Sequence, residues 1–131
     1  NGMGKYVVDR TVRQMIKAGI LIKNSNILVL GFAFKENCPD VRNTKVIDLI
    51  SSLKSYGIDT TIYDPWADEQ EVLREYGLNS LNTLPKEKFD AIVLTVAHKE
   101  FLDLDLDKFK NHKSFIYDVK GVLQEKADDR L

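Results

Sequence analysis

Hydrophobic positions along this chain repeat with two different periods. Val8, Val12, Met15, Ile16 and Gly19 fall on one face at helical spacing, so residues 4–22 read as an amphipathic helix. Lys23-Asn24-Ser25 is a turn, and residues 26–31, Asn-Ile-Leu-Val-Leu-Gly, read as a strand. Its apolar run is continuous rather than alternating, which predicts burial on both faces. Thr44 is placed to cap a second helix with the stripe Val46, Leu49, Ile50 and Leu53, and Gly57 to end it in a left-handed conformation. Residues 59–63 form the next strand, stopped by Asp64-Pro65, and residues 67–76 a short helix followed by Gly77. A third strand, Ala91 to Thr95, lies within Phe89–Val96; short helices follow over 98–102 and 104–110. Ser114 to Asp118 is a fourth strand, leading into Lys120-Gly121.

Strands alternating with helices predict an α/β domain: a Rossmann-like, doubly wound parallel sheet with right-handed crossovers, preceded by a long N-terminal helix. The expected division is residues 1–24 for the helix and its turn and residues 25–131 for the sheet domain. In such sheets ligands bind beyond the carboxyl ends of the strands. Those ends carry Phe34-Lys35, Asp64, Thr95 to His98 and Asp118 to Lys120. The helical stripe of Val8, Val12, Met15 and Ile16 precedes the sheet unit, and it is read as a homodimer interface.

Composition narrows the function classes. A net charge of −1 gives no general affinity for nucleic acid or an anionic membrane, and no apolar run approaches membrane-spanning length. The single cysteine, Cys38, leaves no internal disulfide and fits a reducing, cytoplasmic compartment. No secretory signal opens the chain, and Asn1-Gly2-Met3-Gly4 passes directly into a helical pattern, as in a cut made inside a longer protein. Two isolated histidines and one cysteine lack metal-ligand spacing.

The chemistry concentrates after the first strand, in GFAFKENCPDVRNTK, residues 31–45. A dinucleotide turn uses glycines so that backbone can approach a pyrophosphate at a helix N-terminus. Here Phe32 and Phe34 replace them, and two cations, Lys35 and Arg42, stand ahead of the Thr44 helix start. An ammonium is a movable phosphate partner and a guanidinium a planar fork. Spacing leaves a second reading open: one Phe belongs to the core, Lys35 is solvated, and Arg42 pairs with Asp40.

The run LGFAFKENCPDVRNTKVIDLI resembles the C-terminal, UDP-binding domain of the UDP-glucose/GDP-mannose dehydrogenase family. That domain has a Gly-Phe-x-Phe-Lys motif, an Asp-x-Arg a few residues later and a helix starting at Ser or Thr. Tyr63-Asp64-Pro65 and Tyr117-Asp118-Val119-Lys120-Gly121 are further matches, and the opening GMGKYVVDRTV is similar to the end of the family's linking helix. The Glu-Asn-Cys-Pro-Asp wording is most like the branch oxidising UDP-N-acetylhexosamines. The resemblance implies an NAD-dependent 6-dehydrogenase that oxidises the sugar C6 alcohol to a carboxylate for polysaccharide precursor synthesis. It implies that NAD is bound mainly by an N-terminal domain, and that the nucleophilic cysteine precedes the linking helix, so Cys38 is not that thiol. It assigns Phe34, Lys35 and Lys120 to the UDP-sugar and Arg42 to the cofactor; Lys120 stands where Arg is more usual, and a Lys loses bidentate geometry. By itself this fragment is expected to be inactive. The alternatives are a non-catalytic nucleotide-binding or regulatory domain, or an oligomerisation module, on the same fold.

Of the remaining candidates, Asp64 reads chiefly as a turn-forming residue before Pro65 and secondarily as a ribose ligand. Trp66 reads as packing at the sheet edge, and His98 as either a phosphate donor or a loop or helix-cap residue.

Overall fold

The computed structural model describes residues 2–131. Its elements run in the order α1 (Gly2–Lys17), β1 (Asn26–Leu30), α2 (Val46–Ser55), β2 (Asp59–Tyr63), α3 (Glu69–Tyr76), β3 (Ser80–Leu81), β4 (Phe89–Leu94), α4 (Lys99–Leu102), β5 (Lys110–Asp118) and β6 (Asp129–Arg130), with single 3₁₀ turns at Leu106–Phe109 and Gln124–Lys126. Among the described residues the strands form one six-stranded sheet in the order β3-β2-β1-β4-β5-β6. Every pairing is parallel.

The continuous apolar character of β1 is explained by two separate cores. Ile27 and Val29 face one of them, with Ile62, Ala91, Val93 and Phe115 from neighbouring strands and Leu49, Ile50 and Leu53 from α2. Leu28 and Leu30 face the other, with Ile92, Leu94, Ile116 and the side chains of Phe101, Leu106 and Phe109. The sheet is thus covered on both sides, as a parallel sheet requires. Each fully buried Leu or Ile contributes about 1.5–3 kcal/mol of transfer free energy. The chain crosses to the second face between β3 and β4. The sheet order therefore reverses between β1 and β4, and the carboxyl ends of these two strands mark the switch point.

Several boundaries differ from the sequence reading. The first helix ends at Lys17 rather than residue 22: Gly19 turns left-handed (φ 79°), and the Ile20 N–H donates back to the Met15 carbonyl. Ile16 is 61% exposed, while Val7, Val8, Thr11, Val12 and Met15 are buried against the chain's own α2 and β5. The stripe read as a dimer interface therefore has a partner surface within the domain, because α1 lies beside α2 in the same layer. The expected helix at 104–110 is only a 3₁₀ turn over Leu106–Phe109 that runs straight into β5. The edge strands β3 and β6 have two residues each, too short to display a period. Lys45 rather than Thr44 occupies the cap position of α2, although the Thr44 hydroxyl accepts the Val46 N–H at 3.2 Å. Gly57 takes the left-handed conformation expected of it, and Gly77 ends α3 in the same way.

Candidate functional site

The turn after β1 is built on close approach. Gly31 has φ 104°, and a Cβ there would lie 2.6 Å from the Val96 Cβ, so only glycine fits between β1 and the second residue after β4. Phe32 then turns into the core, fully buried and edge-on to Tyr76 at 5.2 Å, whereas Phe34 is 52% exposed. Of the two phenylalanines, one is core and the other is available to a ligand.

The backbone amides of this turn are already occupied by an internal anion. Asp64, fully buried at the end of β2, accepts the Phe32 N–H at 2.7 Å and the Ala33 N–H at 2.8 Å through Oδ2. Its Oδ1 accepts the Trp66 and Ala67 N–H groups at 2.8 and 3.0 Å, closing the turn after β2. Burial works against its charge, but hydrogen bonds from His98, Phe32 and Ala33 outweigh that penalty and hold the carboxyl below the usual range. The turn-forming reading of Asp64 is correct, and its reach to β1 is the part that local sequence concealed. Asp118 repeats the device at the end of β5, accepting the Lys120, Gly121 and Leu123 N–H groups at 3.1, 2.8 and 2.7 Å.

His98 is also fully buried. Its Nε2 lies 3.0 Å from Asp64 Oδ2, and its Nδ1 accepts the Asn37 backbone N–H at 2.9 Å. Since the Asn37 amide must donate, the neutral ring carries its proton on Nε2 and donates to Asp64. His98 stands at the cap position of α4 without a side-chain cap bond, and its ring is committed to the Asn37 loop and to Asp64, which fits the loop role rather than the phosphate one. Trp66 stacks on the His98 ring at 6.1 Å and donates its indole N–H to Glu100 at 2.8 Å.

A cleft of about 200 Å³ opens at the switch point. Its apolar floor is Val46, Leu49 and Val96; Phe34, Lys45 and Lys120 stand around it. The N-terminus of α2 lies along its wall, where the macrodipole favours an anion. Phe34 and Lys120, far apart in sequence, are brought to one opening. Lys35 is exposed on the loop beside Phe34; no hydrogen bond or ion pair holds its ammonium among the described residues. Lys45 was not singled out from sequence, although its place directly after Thr44 was the available signal.

Arg42 is not in this cleft. Its side chain is 75% exposed and forks onto Asp40, with Nε–Oδ1 at 3.0 Å and Nη2–Oδ2 at 3.1 Å, on an outer surface shared with Asp68 and Glu71. That hydrogen bonding holds Asp40 below the usual carboxylate range. Cys38 is half-buried in the same loop. A wider groove of about 470 Å³, lined by residues such as Asn24, Asp90 and Asn111, lies at the amino ends of the strands, the edge that parallel sheets do not use for ligands.

No helix among the described residues is long and apolar enough to cross a membrane. The family model for the UDP-glucose/GDP-mannose dehydrogenase family, UDP binding domain, matches residues 28–125. A UDP-N-acetyl-D-glucosamine 6-dehydrogenase of Salmonella typhi is 42% identical, the alignment covering 100% of this chain and 32% of that protein. One of Pseudomonas aeruginosa is 39% identical with the same coverage. This chain therefore spans about a third of the length of these relatives. The solved structure of a UDP-D-ManNAc dehydrogenase from Pyrococcus horikoshii superposes with a TM-score of 0.76 at 22% identity, covering 96% of this chain and 30% of that one, which is a likeness of fold. With the family model matching most of its length and two relatives aligned along all of this chain, the chain belongs to the UDP-glucose/GDP-mannose dehydrogenase family, in that family's UDP-binding domain.

Proposed function

We propose that this chain holds the uridine diphosphate of a UDP-sugar in the cleft between β1, β4 and β5. In this reading the whole protein is an NAD-dependent UDP-sugar 6-dehydrogenase of the cytoplasm. It oxidises the C6 alcohol of a UDP-N-acetylhexosamine or UDP-glucose to a carboxylate for polysaccharide precursors. The names of the relatives support the reaction class. The observation that carries the ligand assignment is the cleft itself: apolar floor, helix N-terminus, exposed aromatic and lysines at one switch point.

Phe34 offers a ring face to base or sugar, Lys35 and Lys120 offer point charges to the diphosphate, and Lys45 adds a third. The β1 turn does not fit a dinucleotide pyrophosphate, because Asp64 already takes the Phe32 and Ala33 amides. In this reading NAD is bound mainly by an N-terminal domain of the whole protein, and Arg42, exposed on the outer surface, is the residue that reaches toward it. Residues 1–24 are read as the end of the linking helix.

Calorimetry of the chain with UDP, UMP and GDP tests the assignment. UDP should bind, UMP more weakly for want of the second phosphate, and GDP more weakly for want of the pyrimidine. Absence of UDP binding, or equal binding of all three, overturns it and favours the oligomerisation module or the general nucleotide domain. The chain by itself should produce no NADH from any UDP-sugar.

A homodimer through α1 is also part of the proposal. Its support is now the outer face of the helix, where Tyr6 and Ile16 are 49% and 61% exposed. Sedimentation at high concentration should give twice the chain mass. A strictly monomeric chain sinks the idea.

A further inference from the structure

Two hydrogen-bonding routes converge on the loop that carries Phe34 and Lys35. At its base, Asp64 Oδ2 takes the Phe32 and Ala33 N–H groups. At its tip, the Asn37 N–H donates to His98 Nδ1 at 2.9 Å, and Asn37 Oδ1 accepts the Lys99 N–H at 2.9 Å. Asn37 sits in the left-handed region (φ 55°), a conformation a docked tip can hold at modest cost for Asn. The routes meet where His98 Nε2 donates to that same Asp64 oxygen at 3.0 Å. Phe34 and Lys35 lie between the two anchored ends, and the Phe34 N–H donates across the loop to the Asp40 carbonyl at 2.7 Å.

We propose that His98 and Asp64 form a positioning clamp that fixes the Phe34–Lys35 segment for the UDP diphosphate; His98 is a positioning residue for substrate and not a ligand to it. The proposal rests on the reading of the cleft as a UDP site. The physical case is one of preorganisation. A seven-residue loop with a free tip must be ordered when the nucleotide binds, at a cost of side-chain and backbone freedom. With base and tip tied to one buried carboxylate, that ordering is present before the ligand arrives. A fully buried imidazole whose two nitrogens are both committed to this loop system is unavailable for proton transfer to a ligand in the cleft.

Two isosteric variants separate the halves of the clamp. In His98→Gln the amide nitrogen replaces Nε2 toward Asp64, but the acceptor for the Asn37 N–H is lost. In His98→Asn the amide oxygen replaces Nδ1 toward Asn37, but the donor to Asp64 is lost. His98→Gln should remove hydrogen-exchange protection at the Asn37 amide and weaken UDP binding by about tenfold, the scale of one lost buried hydrogen bond. His98→Asn should keep both the Asn37 protection and the UDP affinity to within about threefold, while lowering Tm. Unchanged Asn37 protection in His98→Gln overturns the clamp. Lost protection with unchanged UDP affinity overturns its role in positioning. If His98→Gln does not fold, Asn37→Ala at an exposed position removes the contact to Lys99 and should weaken UDP binding several-fold; wild-type affinity there overturns the proposal. A wild-type chain that binds no UDP defeats the cleft reading itself, and is recognised before any variant is made.

Discussion

Asp64→Asn will lower the stability of the chain by roughly 3–5 kcal/mol, the scale for removing one member of a buried, hydrogen-bonded charge system. The carboxylate accepts four backbone N–H groups and the His98 Nε2–H, and it is fully buried. An Asn amide supplies one acceptor and turns an NH₂ group toward donors it cannot satisfy. The loss reaches two strand ends at once, because the same side chain closes the turn after β2 and ties it to β1. Urea unfolding measures the effect, and a loss below about 1 kcal/mol would show that the surrounding amides find other acceptors. The variant should also change the response to acid. Since the folded carboxyl is held below its ordinary value, its contribution is present above the ordinary pKa and disappears as pH falls through the lower folded one. Wild type should therefore lose stability below about pH 4 by a component that Asp64→Asn lacks.

Lys35→Ala will leave the fold intact and weaken UDP binding by about tenfold to hundredfold, equivalent to roughly 1.5–3 kcal/mol for a charge-assisted hydrogen bond. The two halves of that expectation have separate causes. The side chain is exposed and unpaired among the described residues, so its removal costs the core nothing. It also directly follows Phe34, which lines the cleft, so in the proposed reading its ammonium adds to the positive end of α2. Lys120→Ala should act in the same direction, from the β5 side. Arg42→Ala should leave UDP binding by the chain unchanged, because its guanidinium is committed to Asp40 on another surface. In the whole protein it should raise the KM for NAD more than that for the sugar nucleotide. Wild-type UDP affinity in Lys35→Ala together with abolished binding in Arg42→Ala would mean that the two cations serve each other's ligands.

The elements with a long or continuous apolar pattern were legible before folding. Residues 26–30, 46–55, 59–63 and 89–94 are found as strand, helix, strand and strand close to where their residue patterns place them. What failed did so for identifiable reasons. β3 and β6 are recruited by the edges of an existing sheet, and two residues carry no period of their own. The helical pattern through residue 22 was interrupted by a left-handed Gly19, whose effect depends on where Ile20 packs. Residues 104–110 had the composition of a helix, yet β4 offered its end of the chain a strand partner, Phe89 opposite Lys110.

The site divides in the same way. Chain order alone determined that a glycine-poor turn with nearby cations follows the first strand, and that Phe34, Lys35 and Lys120 stand at strand ends; those facts are local. Only the tertiary structure decided why the glycines are dispensable. A carboxylate 32 residues after Phe32 supplies the negative charge that a pyrophosphate supplies elsewhere, and a histidine 34 residues beyond that carboxylate supports it. No window of sequence contains Asp64, His98 and Asn37 together. Their hydrogen bonds form because parallel strands deliver their carboxyl ends to one edge, where burial makes each unpaired polar group too costly to leave alone.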